Sequence, residues 1–204
     1  MAEWFMIGLI DRILDEDDAT SISLLEKANL YMVPNINVDG SILGNLRVNA
    51  KGVNLNREWL KPSTENSPEV YYVKEKMKKI GMDFSLDIHG DEGLPYNFIS
   101  GIEGIPSFNA KLSKLTDDFM NNWKAINPDI QDVHGYPKNE PGKANLNICS
   151  KNLGEEFSCL SQTLEMPFKQ NDNIPDEVMG WSPIRSMKLG ESLVTVLLSI
   201  VDEL

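Results

Sequence analysis

The period of the apolar positions changes several times along the chain, and the changes mark out alternating helices and strands. Trp4, Phe5, Leu9 and Ile13 recur at helical spacing from Met1 to about Leu14, and the acidic run Asp11 to Asp18 reads as a solvated face that ends the helix. Helix starts usually carry Ser, Thr, Asp or Asn as a cap, and this one opens without one, so the expectation is that something upstream is absent. A second short helix is predicted from about Thr20 to Lys27. Leu30-Tyr31-Met32-Val33 then reads as a buried strand that Pro34 closes, with a loop over Asn35 to Gly40. Ser67-Pro68-Glu69 starts a helix that Gly81 stops.

The next stretch alternates with period two. Phe84, Leu86 and Ile88 form one face, and Ser85, Asp87 and His89 the other. Gly90, Gly93 and Pro95 break the pattern, which leaves His89 where a strand opens into a loop. Tyr96 to Ser100 reads as a further short strand and Ser107 to Trp123 as a helix. Asn127 to Phe157 is long and polar, the mark of a functional loop. Ser158 to Met166 alternates again, with Glu165 as its last polar residue before Pro167. Ser182-Pro183 then caps a closing helix. Helices alternating with strands predict an α/β fold over residues 1–204: one domain, with a mixed, mainly parallel sheet flanked by helices.

Composition narrows the function. With 31 acidic and 19 basic side chains the net charge is −12, which repels phosphate backbones, and no basic stripe offsets it, so nucleic acid is excluded as a partner. No run approaches the ~20 apolar residues of a membrane span. Met1-Ala2-Glu3-Trp4 lacks a basic n-region, so a cytoplasmic location is expected. Cys149 and Cys159 lack metal-site or disulfide spacing and read as free thiols. Gly-x-Ser-x-Gly, Gly-x-Gly-x-x-Gly and Walker patterns are all absent, which leaves serine hydrolase, dinucleotide and nucleotide chemistry without an anchor.

What remains is a histidine at one strand end, a glutamate at another, and cationic and amide groups in the loop Leu43 to Trp59. That loop holds Arg47, Asn49, Asn54, Asn56 and Arg57, and its plain reading is an irregular solvent loop. The pair Asn56-Arg57 also suits a carboxylate, since the guanidinium fork matches it and the amide adds a donor. Asp87, on the face of His89, reads equally as a plain solvated residue or as a partner that orients the imidazole. His134, beside Gly135, reads as a surface residue.

The runs Val33-Pro34-Asn35-Ile36-Asn37-Val38-Asp39-Gly40, Leu46 to Trp59 (Leu-Arg-Val-Asn-Ala-Lys-Gly-Val-Asn-Leu-Asn-Arg-Glu-Trp), Asp87-Ile88-His89-Gly90-Asp91-Glu92 and Thr163-Leu164-Glu165-Met166-Pro167-Phe168 together resemble the M14 zinc carboxypeptidases, closest to the cytosolic carboxypeptidase branch and its bacterial relatives. The resemblance implies a zinc carboxypeptidase-like fold, one Zn2+ ion and peptide or protein C-termini as partners. It implies His89 as a metal ligand, Glu165 as catalytic carboxylate, Arg47 as the group that polarises the scissile carbonyl, and Arg47, Asn56 and Arg57 as binders of substrate. The physics is consistent: zinc lowers the pKa of bound water to roughly 7, and a cation beside a developing oxyanion stabilises the transition state. The family's other zinc ligands come from a His-x-x-Glu motif ahead of a helix resembling Met1 to Leu14. This sequence lacks that motif, so the resemblance covers a partial catalytic domain and the chain alone is expected to be inactive. The loop tyrosine of classical members has no matching motif, although Tyr136 lies in a suitable region. A second reading is a metal-free, catalytically inactive module that grips peptide C-termini. The branch resembled implies acidic C-terminal residues.

Overall fold

The computed structural model describes residues 1–204. Its elements are α1 (Ala2–Ile13), α2 (Ala19–Lys27), α3 (Val38–Leu43), a 3-10 turn (Leu55–Arg57), α4 (Pro68–Ile80), β1 (Phe84–Asp91), β2 (Phe98–Ser100), α5 (Ala110–Ile126), α6 (Cys149–Phe157), β3 (Leu160–Pro167) and α7 (Pro183–Ile200). The three strands form one sheet in the order β1-β3-β2. β1 and β3 run parallel and β2 lies antiparallel to β3, so the sheet is mixed as expected.

The two faces of the sheet carry different layers because side chains alternate along each strand. Leu160, Leu164 and Met166 of β3 point into the main core, with Phe84, Leu86 and Ile88 of β1 against it. Phe5 and Leu9 of α1, Phe119 and Trp123 of α5, and Leu189, Leu193, Val196 and Leu197 of α7 complete that core. α1 and α7 approach closely: a Cβ on Gly8 would lie 2.2 Å from the Met187 carbonyl oxygen, and one on Gly190 would lie 2.1 Å from that of Phe5. On the opposite face sits α6, whose Ser150 hydroxyl is 2.7 Å from that of Thr163 in β3. Cys149 and Leu153 of α6 pack with Leu55, Trp59 and Val70 of α4 in a second, smaller core, and Phe157 joins its edge.

Three sequence expectations are corrected. Leu30–Val33 forms no strand: its backbone N–H groups have no backbone partner, and Tyr31 and Val33 are 63% and 49% exposed. Leu30 and Met32 nonetheless pack against the main core, so the alternation reflects burial without pairing. The loop expected over Asn35 to Gly40 gives way to α3, because the Asn37 side chain accepts from Gly40 N and starts a helix that Gly44 ends at φ 71°. The polar stretch Asn127 to Phe157 contains α6, organised by the stripe Cys149, Leu153 and Phe157 at i, i+4 and i+8.

Candidate functional site

The parallel register places His89 of β1 beside Glu165 of β3, and Asp87 beside Thr163. Residues in register point to the same face, so all four lie under α6. His89 Nε2 donates to Asp87 Oδ2 at 2.8 Å. In the neutral imidazole this contact holds the proton on Nε2 and leaves Nδ1 as the nitrogen for a ligand, the usual arrangement in carboxylate–histidine–metal sites. Burial works against the imidazolium, but the charges of Asp87 and Glu165 outweigh it and raise its pKa to about 8.

Glu165 is 7% exposed, and its Oε2 has no hydrogen-bond partner. Burial pushes its carboxyl up to about 7; His89 and Arg47 pull the other way, and Asp91 and Asp87 reinforce the rise. A buried carboxyl with one free oxygen and a pKa near neutrality can take or give a proton at physiological pH.

The loop with the cationic groups is rigidly built. Buried Asn49 accepts from Lys51 N and Val53 N at 3.0 Å each and donates to Asn66 O at 2.9 Å, while Val48 and Asn54 form a bridge. Leu55 and Trp59 anchor its far end in the smaller core. Asn56 Oδ1 accepts from Cys149 N at 2.8 Å, which turns its Nδ2 toward the His89 ring 3.5 Å away. Since Nε2 already donates to Asp87, that approach is a contact between neighbours and not a hydrogen bond. Arg57 is exposed, with Nη1 donating to Asn56 O at 2.6 Å. Arg47 reaches Glu92 only at 4.0 Å, both side chains being more than half exposed, so its guanidinium is free to meet a ligand. The charge of Arg47 acts, as the smallest of the causes, on His89, Glu165 and Asp91, so its guanidinium lies within electrostatic reach of all three.

The sequence singles out Tyr136 and Asp91, but neither the contact between them nor a role for Lys151. Asp91 accepts from Gly93 N at 2.7 Å, from Leu94 N at 2.5 Å and from the Tyr136 hydroxyl. Burial opposes its charge, but these donors hold its carboxyl below the usual range, while burial and Asp91 push the Tyr136 phenol up. Tyr136 also stands edge-on to Phe98, with centroids 4.9 Å apart. Beside it a cavity of about 270 Å³ is lined by Phe98, Ser100, Glu103, Tyr136, Lys138 and Lys151. Glu103 is paired with Lys138 at 2.8 Å. Lys151 is only 5% exposed and makes no ion pair or hydrogen bond; burial brings its ammonium down to about 8, with Glu103 opposing. His134 is exposed as expected, stacked on Tyr96, and both cysteines are free and buried.

The fit to a zinc ion is partial. His89 presents Nδ1, and Glu165 offers an unpartnered oxygen on the neighbouring strand. No three His, Cys, Asp or Glu side chains are placed to share a metal, whereas a catalytic zinc takes three protein ligands and an open position.

The zinc carboxypeptidase family model (Peptidase_M14) matches residues 1–170, and the chain belongs to that family. Among solved structures it superposes on the metallo-carboxypeptidase of Pseudomonas aeruginosa, in complex with (2-guanidinoethylmercapto)succinic acid, with a TM-score of 0.96 and 48% identity, over 98% of this chain and 53% of that one. An uncharacterised protein of Zymomonas mobilis is 45% identical over 100% of this chain and 54% of its own length. Cytosolic carboxypeptidase 6 of Caenorhabditis elegans is 25% identical over 97% of this chain and 45% of its own. The chain thus spans about half the length of these relatives.

Proposed function

We propose that this chain carries the substrate-facing and proton-transfer part of a zinc-dependent metallocarboxypeptidase that hydrolyses the C-terminal residue of peptides or proteins. The observation that carries the reading is the unpartnered, buried Oε2 of Glu165, set beside His89 under the charge of Arg47. Asn56 and Arg57 grip the free carboxylate of the substrate. Arg47 faces the carbonyl of the last peptide bond and stabilises the oxyanion. Glu165 takes a proton from the attacking water and passes it to the leaving amine. Zinc dependence then needs ligands beyond the single imidazole this chain supplies. A cytoplasmic location fits the cytosolic relatives, and no helix is long and apolar enough to cross a membrane.

Acidic C-terminal residues suit the adjoining cavity, because Lys151 is a buried cation without a partner. The ligand of the Pseudomonas aeruginosa relative carries a guanidino group beside its two carboxyl groups, so it supports a grip on carboxylates and not a preference for an acidic terminal side chain. The absence of a three-ligand cluster favours the second reading for the chain in isolation, a metal-free module that binds C-termini. Both readings are tested by peptide binding. Arg57→Ala should weaken peptides with a free C-terminus by about 1.5–3 kcal/mol and leave amidated peptides equally poor. If free and amidated peptides bind the unmutated chain alike, both readings fail. Lys151→Met should erase any preference for a terminal Glu over a terminal Leu, and an unchanged preference removes Lys151 from selectivity.

A further inference from the structure

The cavity beside the site holds one carboxylate and two ammonium groups whose pairing runs against solvation. Glu103, Lys138 and Lys151 all line it. Glu103 Oε1 pairs with Lys138 Nζ at 2.8 Å, and Lys151 makes no ion pair or hydrogen bond. Yet the Lys138 side chain is 76% exposed and Lys151 only 5%, and a buried ion is the costlier one to leave alone. Lys151 is within reach of the carboxylate. A Cβ on Gly154 of α6 would meet Ile102 Cγ2 at 3.0 Å, which sets Lys151, one turn earlier on the same helix face, beside the segment that carries Glu103. The charges act on each other accordingly. Burial lowers the Lys151 ammonium to about 8 and Glu103 opposes it; burial also works against the Glu103 carboxylate, which Lys138 foremost, and Lys151 least, hold below the usual range. The carboxylate has a seat of its own, since Glu103 Oε2 lies 2.2 Å from where a Cβ of Gly101 would stand. Around the same point lies the buried, unpartnered Gln162 Oε1, an acceptor that offers Glu103 no hydrogen bond. Lys138 therefore supplies the only ion pair that Glu103 makes.

From this we propose that Lys138 and Glu103 set which terminal residue the cavity accepts: Lys138 holds the Glu103 carboxylate off Lys151, which keeps Lys151 open for an acidic side chain of the ligand. Lys138 is then a positioning residue that acts on the ligand through Glu103 and Lys151, and Glu103 is the built-in competitor of the ligand's carboxylate. Without Lys138, the part-buried anion and the buried cation are left to each other, and pairing lowers the cost of both. The inference rests on the carboxypeptidase reading for the identity of the ligand, but not for the change of partner by Glu103.

Two measurements on the 204-residue chain test it. The first needs no ligand: the ε-carbon NMR signal of Lys151 is followed against pH. Pairing with a carboxylate favours the ammonium, so Lys138→Met should raise the Lys151 midpoint above that of the parent. Losing a neighbouring positive charge acts in the same direction, so the decisive quantity is the effect of Glu103→Gln in the two backgrounds. The drop it causes should be larger in Lys138→Met than in the parent, the mark of a carboxylate that has moved onto Lys151. Asp117 and Asp132 also act on Lys138, and they are unchanged in every variant. In the second measurement, peptides identical except for a terminal Glu or Leu are bound, each free and amidated. Lys138→Met should lower the preference for Glu by about 10-fold, and adding Glu103→Gln should restore it by a larger factor than the same change gives in the parent. Lys138→Arg, which keeps the pair, should retain the parent's preference. A merely structural ion pair cannot produce this pattern, because the double variant lacks the pair as well. Equal effects of Glu103→Gln in the two backgrounds overturn the proposal, as does a preference that Lys138→Met leaves intact. A parent that binds free C-termini without favouring Glu removes the role in specificity and leaves the carboxypeptidase reading standing. If free and amidated peptides bind alike, that reading fails, and the midpoints alone decide whether Glu103 changes partner.

Discussion

At the scale of single residues, burial and neighbouring charge set the protonation that the site can use. Glu165 keeps its proton in the folded chain up to about pH 7 against an ordinary value of 4.5, because burial disfavours the anion. Unfolding therefore releases a proton between those two values, and its contribution to stability, present below about 4.5, is lost as pH rises through about 7. Urea melts at intervals across that window should show Glu165→Gln gaining stability relative to the parent as pH rises, and parallel curves would mean that Glu165 is not held in this way. In a complete, metal-loaded enzyme the same substitution should lower activity by roughly 10²–10⁴-fold while keeping the metal. The raised His89 value has a different origin, since burial opposes it and the charges of Asp87 and Glu165 carry it to about 8. Asp87→Asn should lower it, which the imidazole C–H shifts in an NMR titration report directly because His134 is the only other histidine. The strand-end placement of His89 and Glu165 was legible because period-two alternation locates a strand end and the polar residue on it, whereas their roles rest on the family resemblance. The Tyr136–Asp91 contact and the unpaired Lys151 were not legible, as each depends on segments brought together from far apart in the chain.

At the scale of elements, helices with caps and apolar stripes were read well, and segments whose structure depends on a distant neighbour were read poorly. α1, α5 and α7 follow from their own periodicity, α4 from its start at Ser67-Pro68 and its stop at Gly81, and Ser182 and Pro183 mark the start of α7 as expected. α6 was missed although Cys149, Leu153 and Phe157 carry a helical stripe, because the glycines, prolines and asparagines around it dominate the composition. That omission matters, since α6 touches the site through Cys149 N on Asn56 and Ser150 on Thr163, and it positions Lys151. Leu30–Val33 shows the opposite failure: its pattern is that of a strand, but pairing requires a neighbour that sequence pattern alone cannot supply. The tightest element contact, α1 on α7, gives its own test. A side chain at Gly190 must displace the Phe5 carbonyl, which a Cβ would approach to 2.1 Å, and that atom is backbone and cannot swing aside. Gly190→Val should therefore destabilise the chain by about 1–3 kcal/mol in chemical denaturation, the usual cost of overpacking. A melt unchanged from the parent would show that the two helices can separate without loss.

For the molecule as a whole, the field of the chain adds to the contacts of its site. The net charge is −12, and carboxylates stand round the cavity and its rim at Asp91, Glu92, Glu103, Asp117 and Asp132. Among these, Glu103 is paired with Lys138 and Asp132 with Lys124, while Asp91 is held as an anion by its donors. Arg47, Arg57 and Lys151 then act as local cations inside an otherwise repulsive surface. On the proposed carboxypeptidase reading, a substrate carboxylate gains from them only at contact, within roughly a Debye length of 8 Å at physiological salt, whereas the body of the peptide feels the whole molecule. Peptides that share a C-terminal residue should accordingly bind at rates set by what lies upstream. A basic body should associate faster at low ionic strength and slow as salt rises; an acidic body should do the reverse. Stopped-flow association of two peptides ending in the same residue, one with upstream lysines and one with upstream glutamates, measures both trends. Their rates should converge towards 1 M salt, where the screening length is about 3 Å. Equal rates and equal salt slopes at low ionic strength would mean that the approach to the site is shielded from the charge of the rest of the chain, and that Arg47 and Arg57 alone guide the substrate in.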